Sequence, residues 1–173
     1  MRCITFGMTY FDKKKFMPIK NRHFVKPWGG FWTAPLLTQQ ENYSAWAQWC
    51  STNDFHVERL ANAIVFNMSD SARICRIDSL QDLGALPMQS NFGITYTPDF
   101  ERIAQEYDAI YLTSKGERET RWTRPYNLYG WDCESVLILN PDIVTEVKHE
   151  QFELFSVLDD WEDVTTRIQR KGE

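Results

Sequence analysis

A mixed α+β fold is the expectation for this chain, and three observations carry it. Short apolar or aromatic runs, rich in β-branched residues and bounded by glycine, proline or asparagine, recur along the sequence and read as strands. Between them lie stretches with helical spacing and recognisable caps, such as Ser79-Leu80-Gln81-Asp82-Leu83. No repeat or low-complexity linker divides the order, and 173 residues suit one sizeable core, so a single domain over residues 1–173 is expected.

Taken in order, residues 2–10 should form the first strand, with Gly7 marking a bulge or a close ligand approach. Asp12-Lys13-Lys14-Lys15 ends it; the lysines read as a solvated turn, with phosphate binding as the sharper alternative. Next, Pro27-Trp28-Gly29-Gly30 feeds a short aromatic strand that Pro35 closes. The paired glycines suit a close ligand approach or an anion held on backbone amides, and a structural tight turn explains them equally well. Of the neighbouring side chains, Arg22 is a better ligand candidate than the lone His23. Tyr43, Trp46, Ala47, Trp49 and Cys50 have helical spacing behind an Asn42 or Ser44 cap, and this aromatic stripe reads as core packing.

Residues 55–57 with 60–68 read as one more strand and residues 72–78 as another, followed by a helical turn or two capped by Ser79. Residues 86–97 read as loop. Thr97 as cap and Pro98 at the first helical position then open a helix that reaches Glu106. A strand over residues 107–113 leads into the mixed-charge stretch 114–124, expected to be a mobile, solvated loop that could also contact substrate. At the end, Leu158, Trp161, Val164 and Ile168 have helical periodicity, with acids early and Arg167, Arg170 and Lys171 late as a helix dipole favours.

Composition narrows the function classes. Hydrophobic residues make up 43% and aromatic residues 14% of the chain, with seven tryptophans, enough for a broad core or for a groove that stacks planar ligands. A net charge of −5 argues against a protein built to wrap nucleic acid, although a local patch of Lys13, Lys14, Lys15, Arg22 and Lys26 could override the net sign. No stretch nears the roughly 20 apolar residues of a membrane span, and Met1 to Phe6 does not read as a leader, so a soluble, cytoplasmic protein is expected. The four cysteines form no CxxC pair and read as reduced, mostly buried thiols, with no metal site expected.

The most informative stretch is Asn127-Leu128-Tyr129-Gly130-Trp131-Asp132-Cys133-Glu134, which runs into the apolar residues 136–139 and stops at Asn140-Pro141. If the strand begins at or before Asp132, side-chain alternation places Asp132 and Glu134 on one face, as two acids at the mouth of a site. Alternatively, Glu134 simply occupies the solvated end of the strand.

In the order of its parts the chain resembles the small ADP-ribosyltransferases of bacterial toxins and phages, including those used as anti-CRISPR proteins. The parts are Phe6-Gly7-Met8-Thr9, then Gly29-Gly30-Phe31-Trp32-Thr33, then Tyr107-Asp108-Ala109-Ile110-Tyr111, and finally Trp131-Asp132-Cys133-Glu134-Ser135 leading into residues 136–143. The resemblance implies a split β-sheet core with flanking helices and an activity that transfers ADP-ribose from NAD to a host protein or nucleic acid. In that family a late strand carries the catalytic acid, which matches Glu134, with Asp132 as a second acid that orients the acceptor or is simply exposed. A middle strand places an aromatic or hydroxyl residue against the nicotinamide, matching Trp32 or Thr33. The early His or Arg that holds NAD would fall near Gly7, where neither stands; Thr9 or Arg22 could replace it. The resemblance thus makes Thr9, Arg22, Gly30, Phe31, Trp32, Thr33 and Tyr111 the candidate NAD-binding residues. The alternative it leaves open is an inactive relative that acts as a protein-binding inhibitor module.

Overall fold

Gly7 is where the first strand stops: its backbone takes φ +79°, a conformation that glycine adopts without strain. The computed structural model describes residues 1–23, 26–39, 42–158 and 164–172. In chain order these form β1 (Arg2–Phe6), β2 (Phe31–Pro35), α1 (Ala45–Thr52), β3 (Asn62–Met68), β4 (Ile74–Ile77), α2 (Leu80–Gly84) and β5 (Met88–Asn91). They continue as β6 (Thr95–Pro98), α3 (Phe100–Glu106), β7 (Ala109–Leu112), α4 (Ser114–Thr120), β8 (Ser135–Ile138), β9 (Val144–Leu158) and β10 (Val164–Arg170). The fold is therefore mixed α+β, with mostly antiparallel strand pairing and short helices. No helix among the described residues is long and apolar enough to cross a membrane.

By internal contacts the chain forms two compact units. The first comprises residues 1–12, 34–69 and 144–173. Its strands run β10-β9-β3-β1, all antiparallel, and β1 then pairs with Ala34 and Pro35 of β2. Ile4, Ala63, Val65, Phe152 and Ile168 pack with Ala47 and Cys50 of α1 to form its core. The aromatic stripe of residues 43–49 thus borders a core, as its spacing suggested. Ser44 is the cap of α1, its Oγ accepting from the Ala47 amide at 3.1 Å.

The helix expected at the C-terminus is instead a strand: β10 pairs with β9 from Val164↔Leu158 to Arg170↔Phe152. A spacing of four keeps two residues on one face of a strand as it does on a helix, and the β-branched Val164, Thr165 and Thr166 favour the extended form. The Trp161 part of that expectation lies outside the described residues.

The second unit comprises residues 13–33 and 70–143. Its strands run from Phe31–Thr33 of β2 to β8, β7 and β4, with β4 parallel to β7 and the other pairs antiparallel. Ile77, Leu83, Phe100, Ile110, Trp131 and Leu137 anchor its core. Three expectations change here. Residues 86–97 are not loop but hold most of the antiparallel hairpin β5–β6, whose polar strands lack apolar alternation. Pro98 ends β6, and Asp99, rather than Thr97, caps α3 by accepting from the Arg102 amide at 3.2 Å. The expected loop at 114–124 is in large part helix: Thr113 Oγ1 caps α4 through the Gly116 amide at 3.0 Å. Glycine is a weak helix former, yet Gly116 lies inside α4. It is there because a Cβ would come within 2.2 Å of the Ile77 carbonyl oxygen.

Asp108 ties β7 to its surroundings. Its carboxylate accepts from the Arg73 amide (2.9 Å), from Arg73 Nε (3.2 Å) and from Asn140 Nδ2 (3.0 Å), and Arg73 holds its pKa down at about 2. The folded pKa lies below the ordinary value, so this stabilisation is complete above about pH 5 and is lost as pH falls through 4 towards 2. Arg73 is 59% exposed, and its screening reduces the effect to about 1–2 kcal/mol. Chemical denaturation at pH 7 and pH 2.5 should therefore show the wild type losing more stability than Asp108→Asn, by that amount; equal losses would remove Asp108 as a source of acid sensitivity.

Candidate functional site

The ladder of the second unit sorts the candidate residues onto two faces. Phe31 and Thr33 stand opposite Ile138 and Val136, and Tyr111 also stands opposite Val136, so these three share a face. Trp32 and Ile110 both stand opposite Leu137, on the other face, where Trp32 packs against the core. Glu134 joins the first group: Tyr111 OH donates to its Oε1 at 2.5 Å and Ser114 Oγ donates to its Oε2 at 3.0 Å. Both carboxylate oxygens are therefore fixed by hydroxyls from the end of β7 and the start of α4. Burial and the Glu134 carboxylate push the Tyr111 phenol above its usual range, so it remains a donor at neutral pH.

Asp132 does not share this arrangement. β8 begins only at Ser135, so the alternation that would pair the two acids does not extend to them. Asp132 instead takes Lys26 Nζ at 3.1 Å and an Arg121 guanidinium nitrogen at 3.1 Å, while Arg121 also reaches Glu117 at 3.3 Å. Lys26 lies 5.2 Å from the Trp32 ring centroid, and Trp32 meets Trp131 edge-on at 4.6 Å. Lys26, Trp32 and Asp132, together with Arg22, Tyr129 and Gly130, line a concavity of about 420 Å³. Asp132 is therefore the hub of a charge cluster. Asp132→Asn leaves two cations facing a neutral group, and at 23% exposure it should cost about 1–2 kcal/mol in thermal or urea unfolding. The same substitution should leave any Glu134-dependent turnover within a few-fold. A loss as large as that from altering Glu134 would return Asp132 to the reaction centre.

The other candidates fall as follows. Gly30 has φ +66°, and a Cβ there would meet Leu137 Cδ1 at 2.7 Å; its amide already donates to the Met17 carbonyl at 2.8 Å. Packing thus accounts for Gly30, and its N–H is not spare for a ligand. Arg22 is exposed at the rim of the concavity. Thr9 is exposed in the first unit, beyond the end of β1. All four cysteines are buried thiols, and burial holds Cys133, between the two acids, at about 11, too high for a thiolate nucleophile at neutral pH.

Two contributors escaped the sequence reading. Ser114 lay in a stretch read as loop, and the signal for it was Thr113, a helix cap whose next residue projects at the helix mouth. Arg76 breaks the apolar pattern of β4; its guanidinium lies 5.2 Å from the Tyr111 ring and bonds Asp78 at 2.9 Å. Thr113 first, then Arg76 and Lys115, hold the Asp78 carboxyl below its ordinary range, so this rim stays ionised. No family model matches the chain, and neither a curated protein nor a solved structure matches it.

Proposed function

We propose that the chain is an NAD-dependent ADP-ribosyltransferase with Glu134 as its catalytic carboxylate. The observation that supports this most is the fixing of both Glu134 oxygens by Tyr111 and Ser114, on the face that also carries Phe31 and Thr33. NAD, the donor, supplies a nicotinamide–ribose bond whose cleavage leaves the electron pair on nicotinamide and cationic character on the ribose. A carboxylate already oriented stabilises charge that develops mainly in the transition state, without reorganising at that moment. Tyr111, kept protonated, holds Glu134 in one rotamer, and Arg76 beside Tyr111 offers a cation to the donor's diphosphate. On this reading Phe31, not Trp32, is the aromatic of β2 that shares the Glu134 face. The acceptor, a protein or nucleic-acid nucleophile, bonds to the ribose carbon and gives up its proton. The split-sheet core of the resembling family is the finer fold this reading implies.

The test is NAD labelled in its adenylate phosphate, incubated with the protein and a cell lysate. Nicotinamide release together with label on a macromolecule supports the reading; neither, with no NAD binding by calorimetry, rejects it. The absence of His or Arg at the Gly7 position favours a second reading, an inactive relative serving as a binding module. Stoichiometric capture of a partner by a chain that leaves NAD intact would establish that one.

A further inference from the structure

We infer that the surface around Tyr129 is a binding site for single-stranded nucleic acid. Two concavities, of about 420 and 340 Å³, share Tyr129 as a wall, and both volumes suit small planar ligands. Each pairs an aromatic ring with an arginine that has no ion pair among the described residues. In the first the pair is Trp32 and Arg22, and in the second it is Trp122 and Arg124. Trp122 is 74% exposed and Tyr129 55% exposed, with ring centroids 5.0 Å apart, so core packing does not account for either ring.

Charge points the same way. Asp132 and Glu117 neutralise Lys26 and Arg121, which leaves Arg22 and Arg124 as the net positive groups of the two hollows. A base presents a π-face that the exposed Trp122 and Tyr129 rings can stack on, and a phosphate suits an arginine. One ring with one arginine serves one nucleotide; the arrangement repeats, which fits two successive nucleotides of a flexible strand. Stacked duplex bases cannot reach such rings. The inference is independent of NAD turnover, since Glu134 lines neither hollow.

The experiment is fluorescence anisotropy with labelled single-stranded DNA and RNA oligonucleotides of mixed sequence, on the full chain at low salt. Binding by either oligonucleotide should weaken on the order of tenfold in Trp122→Ala and in Arg124→Ala. It should be unchanged in Lys148→Ala, an exposed cation of the first unit. With two phosphate contacts, log affinity should fall with log salt at a slope of about −1.4. Circular dichroism checks that each variant folds. Four results would overturn the inference: no single-strand binding, equal or tighter duplex binding, indifference to both Trp122→Ala and Arg124→Ala, or displacement by adenosine monophosphate as effective as by unlabelled oligonucleotide. The last would assign the hollows to a mononucleotide.

Discussion

Glu134→Gln is expected to lower nicotinamide release from NAD by about 10²- to 10³-fold, the loss typical when one preorganised electrostatic contact to a transition state is removed. Glutamine is nearly isosteric, and its carbonyl can still accept from Tyr111 OH while its amide faces the Ser114 hydroxyl, which can accept in turn. Shape and anchoring survive; only the negative charge goes. Stability should therefore change by less than about 1 kcal/mol, as for most substitutions outside the core. Tyr111→Phe makes the complementary change, keeping the charge and removing one of its two anchors, and should cost roughly tenfold through looser positioning. Steady-state nicotinamide release with melting curves for both variants settles the matter. Turnover within threefold of wild type in Glu134→Gln would make the carboxylate structural. A Tyr111→Phe loss equal to that of Glu134→Gln would make the phenol, not the carboxylate, the decisive group.

What could be read from the sequence was whatever is local. The Ser44 and Ser79 caps, the Phe31–Pro35 strand and the apolar run of β8 each announce themselves through residues adjacent in the chain. What could not be read depends on partners distant in sequence. The stretch 164–170 is a strand because β9 lies beside it, and nothing within its own helical spacing reveals that. The polar hairpin β5–β6 lacks the alternation that betrays a half-buried strand, and Thr113 was spent on the preceding strand when it was needed as the cap of α4. The site divides in the same way. Glu134 could be singled out by its place before β8, but its union with Tyr111 and Ser114 crosses 23 and 20 residues of chain. The split between Glu134 and Asp132 turned on where β8 begins, and strand boundaries are the least legible feature of a sequence.

Trp131→Ala should be the most destabilising single change considered for the second unit, at about 3–5 kcal/mol. The ring is 2% exposed, lies nearly parallel to Phe100 at 6.3 Å and meets Trp32 edge-on at 4.6 Å. Truncation leaves a cavity between two further aromatics that cannot collapse without moving β2 or α3. Trp122→Ala, on a ring 74% exposed, should by contrast cost no more than about 0.5 kcal/mol, so urea unfolding followed by circular dichroism separates core tryptophans from surface ones. A Trp131→Ala cost under 1 kcal/mol would mean that the pocket refills and that the ring is not an anchor. The effect should also reach the site, because Trp131, Asp132, Cys133 and Glu134 turn in succession to the core, the Lys26–Arg121 cluster, a buried thiol position and the Tyr111 hydroxyl. Trp131 is thus a positioning residue for Glu134. Trp131→Phe, which refills most of the volume, should recover stability and turnover together, whereas a chemical role for the indole would leave turnover low in a refolded core.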